Sequence, residues 1–223
     1  IDNWSDLKTP WARAMPPYPD SIHRLLHRLG FYKGDIFTEE PQNARDVTPV
    51  LEQLREFKPT VISLAMDPEG SGPDTHYKVL QTIAQAVRRW KEERDLSDLR
   101  IWGYRNVWYR FDVAEADIIV PVTLNSMSIL NSTFMNCYLS QKDASFPSYE
   151  HDGPFCELSQ KIWVEQHHDL QLLLGRDYWY RNENPHLRAV HGAVHLKEMD
   201  VDTFLGVARK IEDSTEASDI LKN

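Results

Sequence analysis

The chain has 223 residues, 41% of them hydrophobic, with seven tryptophans, enough to bury the core of one large domain or of one domain with an appendage. Lys and Arg total 25 against 34 Asp and Glu, a net charge of −9, which argues against non-specific binding to nucleic acid or to an anionic membrane surface. No apolar stretch approaches the roughly 20 residues that span a bilayer, and Ile1-Asp-Asn-Trp-Ser-Asp6 lacks the basic and apolar regions of a secretory signal.

Residues 1–20 are rich in Pro and Trp and read as an irregular segment that wraps the surface. A short helix over 21–29 and a connector over 31–37 follow. Asp46 is placed to cap a helix over 46–57, with Val47, Val50, Leu51, Leu54 and Phe57 on one face, and Lys58-Pro59 ends it. Residues 60–66 form a short apolar run between two amphipathic helices. Such a run cannot expose either face, so a central, parallel strand is expected. The loop Met66-Asp-Pro-Glu-Gly-Ser-Gly-Pro-Asp-Thr-His76 then opens a helix reaching about residue 94, with Val79, Leu80, Ile83, Val87 and Trp90 at helical spacing.

Residues 100–111 read as a strand with an unusual glycine, Gly103, inside it. A short strand over 117–122 carries Pro121, which marks an edge or an end. Helices are expected over 125–139 and 155–174, the second with Leu158, Ile162, Gln166 and Leu170 in line. A strand over 187–196 and a helix over 202–211 close the chain. Strands alternating with helices give an α/β fold with a mostly parallel sheet and flanking helices.

The loop before His76 is the most informative stretch. A strand feeding a Gly/Pro-rich loop that opens a helix is where open α/β sheets bind ligands, and this loop carries Asp67, Glu69 and Asp74 with His76 at the helix start. An ordinary connection, with Asp74 or Thr75 as N-cap and His76 solvated, explains the same residues. His23/His27 and His191/His195 are each four apart, so either pair could face one metal if helical. Gly192-Ala-Val194 favours a strand or turn for the second pair. His167-His168-Asp169 falls in an expected helix, where neighbours diverge by about 100°, and reads as a solvated face. Cys137 and Cys156 read as buried thiols rather than a disulfide, which suits a reducing, cytoplasmic setting. No nucleophile elbow, Walker loop or dinucleotide fingerprint is present.

Gly30-Phe-Tyr32, Lys58-Pro-Thr-Val-Ile62, the Asp67–His76 loop, Trp102-Gly-Tyr-Arg-Asn-Val-Trp-Tyr-Arg-Phe-Asp112, Val120-Pro121 and Ser140-Gln-Lys-Asp143 occur in that order. Together they resemble the carboxyl-terminal part of a PIG-L/LmbE-like N-acetylglucosamine deacetylase domain, in the version fused to glucosamine-6-phosphate isomerase/deaminase. The resemblance covers roughly residues 30–180. It sets an irregular segment at 1–29 before the domain and an appendage at 181–223 after it. It implies a Rossmann-like sheet and a zinc-dependent amide hydrolase in amino-sugar metabolism, with His76 as a metal ligand and Asp67 as the carboxylate that orients it. Arg105 and Trp102 would meet the sugar or its phosphate. The implied partner is a small amino sugar or its phosphate, with no nucleic acid and no membrane, and a homo-oligomer is compatible with it.

The family's His-x-Asp-Asp motif does not occur in these 223 residues. Pro73 stands at one motif histidine of the family and Tyr138 at another. One histidine falls short of the three protein ligands that catalytic zinc takes. Zinc is therefore expected only if upstream ligands are present, and the chain by itself is expected to be inactive. The absence of an initial methionine fits a chain cut from something longer. A non-catalytic sugar-binding or scaffolding module is the second reading.

Overall fold

The computed structural model describes residues 46–66, 74–105, 110–138 and 153–222, the side chains of 74–78 and 213–222 excepted. The expected helix at 21–29, the His23/His27 pair, Asp67, Trp108 and the segment 140–143 lie outside the described residues. The chain forms two compact units, Ile1–Tyr109 with Glu198–Asn223, and Arg110–Lys197.

The first unit holds α1 (Thr48–Phe57), β1 (Val61–Ala65), α2 (Asp74–Glu93), β2 (Arg100–Tyr104) and α7 (Val201–Lys222). In α1, Val50, Leu51 and Leu54 are buried at the spacing the sequence suggested, while Phe57 is exposed. Lys58 ends the helix in a left-handed conformation (φ 44°), its N–H donating to Leu54 O at 2.9 Å. Helix α2 packs against α1, α7 and β1. Its stripe of Leu80, Ala84, Val87 and Trp90 is buried, as are Phe204 and Ala208 of α7. Gln81 of α2 donates to Ala208 O at 3.0 Å in this core, which pins the two helices in register.

Strands β1 and β2 run parallel, Ile62 opposite Ile101 and Leu64 opposite Gly103, joined by α2 as a parallel pair requires. Gly103 is explained by close packing. A Cβ there would overlap Met66 Sδ and sit 3.0 Å from Met66 Cγ and 3.3 Å from Met199 Cε.

The second unit holds β3 (Ile118–Thr123), α3 (Leu124–Cys137), α4 (Phe155–Leu174), the short helices α5 (Arg176–Tyr180) and α6 (Pro185–Arg188), and most of β4 (Val190–Met199). Strands β3 and β4 are antiparallel, Val120 opposite Val194 and Pro121 opposite Ala193. Thr123 caps α3 by accepting from Ser126 N at 3.2 Å, and Asn184 caps α6 by accepting from His186 N at 2.9 Å. Leu170, Trp179, Val190 and Ala193 form a buried cluster, joined by Val113 and Leu187.

The sheet is four-stranded and mixed, in the order β1-β2-β4-β3. Pro121 lies on an end strand, where proline is tolerated within sheets. The 60–66 run is parallel as expected, but among the described residues it ends the sheet instead of occupying its centre. Its pattern accounts for this: Val61 and Ser63 are exposed, and burial begins at Leu64.

Candidate functional site

Two places carry chemistry, one in each unit. In the first unit, β1 and β2 end side by side, with Met66 N donating to Tyr104 O at 2.7 Å. Their shared carboxyl-terminal edge therefore brings Met66, which follows β1, beside Arg105, which follows β2. His76 is the third residue of α2. Strand β1 and helix α2 are thus consecutive elements of the first unit. Arg105 is half-buried and Tyr104 exposed. Trp102 is committed elsewhere: half-buried in β2, its indole Nε1 donates to Glu198 Oε2 of β4 at 2.8 Å.

The histidine pair of β4 does not form a metal site. His191 and His195 lie on a strand, and four residues of strand separate their backbones by about 13 Å. His191 is exposed and its Nδ1 lies 2.9 Å from Ala189 O, while His195 is buried. Among the described residues no group of three His, Cys, Asp or Glu side chains is placed to hold a metal ion.

His167-His168-Asp169 is split by the helix. His168 and Asp169 are exposed as expected, but His167 is buried, its ring edge-on to Trp179 with centroids 4.7 Å apart. Burial is the main cause that lowers the pKa of His167, with His191 and His168 adding to it. The cysteines also differ from each other. Cys156 is buried and its Sγ reaches Asn131 Oδ1 at 3.2 Å, whereas Cys137 is exposed; both are free thiols. Burial raises the pKa of the Cys156 thiol, making it a poor nucleophile.

The second unit contains a cavity of about 610 Å³, within the usual range for small-molecule sites. The segment Arg110–Val113 forms one wall, one face of α4 (Val164, Glu165, Gln166, His168, Asp169) another, and His195 of β4 completes it. Arg110 Nη1 donates to Glu165 Oε2 at 2.6 Å, tying the first wall to the second. His195 is 4% exposed. Its Nδ1 lies 2.9 Å from Phe111 O. A carbonyl only accepts, so Nδ1 carries the hydrogen, and in the neutral ring Nε2 carries the lone pair. That Nε2 is buried and has no hydrogen-bond partner among the described residues.

Sequence reasoning passed over this cavity. The signal within α4 was readable, because Glu165, His168 and Asp169 at i, i+3 and i+4 share a face. What joins them to Asp112 and His195 is tertiary.

No family model matches the chain, and no solved structure matches it significantly. Over 132 residues the chain is 30% identical to a protein of Bacteroides thetaiotaomicron named as glucosamine-6-phosphate deaminase-like. The alignment takes in 57% of this chain and 19% of that protein, so the chain spans about a fifth of its relative. No helix among the described residues is long and apolar enough to cross a membrane.

Proposed function

We propose that the chain is part of a protein of amino-sugar metabolism, acting with residues outside these 223 on an amino sugar or its phosphate. The observation that carries this reading is the 30% identity over 132 residues to a glucosamine-6-phosphate deaminase-like protein. The finer assignment is a PIG-L-type deacetylase region on a Rossmann-like sheet, whose ligand edge is the carboxyl-terminal end of β1 and β2. There His76 would be one metal ligand, and Asp67 the carboxylate that fixes the ring's orientation. Arg105 would meet an anionic substituent through its forked guanidinium; Trp102, whose indole is bonded to Glu198, would act on that site only from within β2. Zinc bound by neutral ligands would lower the pKa of its water and prepare it to attack the amide carbonyl. The exposure of Tyr104 and the half-burial of Arg105 at that edge suit an open ligand site.

Titration of the purified chain with glucosamine 6-phosphate tests the reading. Saturable binding that Arg105→Ala weakens by about tenfold or more is expected, as for loss of one charge-assisted contact. Absence of binding to glucosamine 6-phosphate and to N-acetylglucosamine alike would overturn it in favour of a scaffolding module.

A further inference from the structure

We infer that the outward face of α3 is where two copies of this chain meet, each helix lying antiparallel to its counterpart across a two-fold axis beside Ile129. From Ile118 to Gln141 no residue is charged, although charged residues make up 26% of the chain, so the exposed part of this run is unlike an ordinary solvated face. Met127, Leu130 and Phe134 hold α3 to its own unit, Met127 buried and the other two half-buried. The other side of the helix is open. Leu124 and Ile129 are each 58% exposed and Met135 36%, with Asn125, Ser128 and Ser132 exposed among them. Single exposed apolar residues are ordinary, but three on one helix with no charge between them match the centre of an interface, where charged residues are depleted.

Charge selects a second copy as the occupant. A partner presenting Lys, Arg, Asp or Glu to this face would bury that charge without a counter-ion, which is costly. The matching surface must therefore be as uncharged as this one. Two copies that each carry a net charge of −9 repel wherever acidic faces meet, and along α3 they approach with no like charges opposed. Asn125, Ser128 and Ser132 each carry both donor and acceptor groups, so the face also matches itself in hydrogen bonding.

Register points the same way. Leu124, Ser128, Ser132 and Met135 follow at i, i+4, i+8 and i+11 and form one ridge of the helix. A two-fold axis midway between Leu124 and Met135 sets Leu124 of one copy opposite Met135 of the other. It also brings Ser128 to within one residue of Ser132 of the other copy. Isologous contacts require this reciprocity, and the short serines between the apolar ends allow a close approach of the two helices. The end strand β3 is exposed at Ile119 and Val120 as well, but Pro121 opposes strand pairing along that edge, which leaves the helix as the contact.

A contact along 14 helical residues, about 21 Å, lies at the low end of specific interfaces. A reversible dimer with a dissociation constant on the order of 10 μM is expected. Sedimentation equilibrium of the whole chain from about 1 to 300 μM brackets that value, in reducing buffer so that the exposed Cys137 does not link copies. Ser128→Glu sets like charges on both sides of the axis and should weaken the dimer by about tenfold or more. Ser128→Lys should do the same, and an equimolar mixture of the two variants should recover the dimer. Leu124→Ser, which adds no charge, should weaken it as well, so the test survives if a charged variant fails circular dichroism as a fold check. A chain that stays monomeric throughout, association that continues beyond two copies, or a dimer unchanged in Ser128→Glu and Leu124→Ser would overturn the inference. A dimer lost in Leu173→Glu, at the exposed end of α4, and kept in Ser128→Glu would also overturn it by placing the interface there.

Discussion

The imidazole of His167 meets the indole of Trp179 edge-on, with ring planes at 86° and centroids 4.7 Å apart, and among the described residues neither His167 Nε2 nor Trp179 Nε1 has a hydrogen-bond partner. Trp179 belongs to the buried cluster with Leu170, Val190 and Ala193. The contact makes the cluster sensitive to protons, because charging the imidazole places a cation in apolar surroundings.

Stability should therefore fall in acid. Burial holds the pKa of His167 in the folded state below its ordinary value, with His191 and His168 acting in the same direction. The unfolded chain then binds the extra proton first. The stabilisation is fully present above the ordinary histidine value of about 6.5 and is lost as pH falls through the lower, folded value. Urea midpoints measured between about pH 8 and pH 5 should decline below pH 6.5 in the native chain. His167→Leu should flatten that decline, and an unchanged slope in the variant would assign it to other groups.

A second expectation concerns Gly103. Met66 and Met199 fill the space beside it, and Met66 and Met199 are each only 5% exposed. Gly103→Ala should cost about 1–3 kcal/mol, the range for overpacking a closed core. Methionine is flexible and can yield, so Met66→Ala in the same chain should recover part of the loss. Additive losses in a double-mutant cycle would show that the overlap is relieved by another route.

What could be read from the sequence follows from how far apart the partners lie. The span of α4 was legible to the residue, and α1, α2 and α3 to within two residues, because helical spacing and end signals are local. Pro121 announced an end strand for the same reason. The position of β1 was not legible: whether an apolar run is central depends on which strand lies on its far side. Nor was the burial of His167, since the residue that covers it, Trp179, belongs to the next helix. The cavity draws on residues 110–113, 164–169 and 195, and no local spacing rule connects segments so far apart in sequence.

Gln81 offers a test of how α2 is held to α7. Its amide is buried and donates to Ala208 O at 3.0 Å. Gln81→Ala removes the bond and leaves a small void, with an expected loss of about 1–3 kcal/mol. Hydrogen exchange at the described end of α7 should accelerate together with the drop in global stability. A loss below about 0.5 kcal/mol would mean that this bond is worth less than a typical one.

Zinc distinguishes the finer reading of the first unit from a module that only binds. His76 stands near the start of α2, where a metal ligand is expected from the resemblance. Catalytic zinc takes three protein ligands and keeps one open position, and the chain contains no His-x-Asp-Asp motif. His191 and His195 cannot complete the set as a pair, because about 13 Å of strand lies between their backbones. The expected result for the purified 223-residue chain is a zinc content well below one ion per molecule, and no release of acetate from N-acetylglucosamine derivatives. Supplying a segment with a His-x-Asp-Asp motif in the right register should restore binding, and His76→Ala should then abolish it. One tightly held zinc in the chain alone, with turnover, would overturn this ligand count. His23 and His27 would then be the first residues to replace.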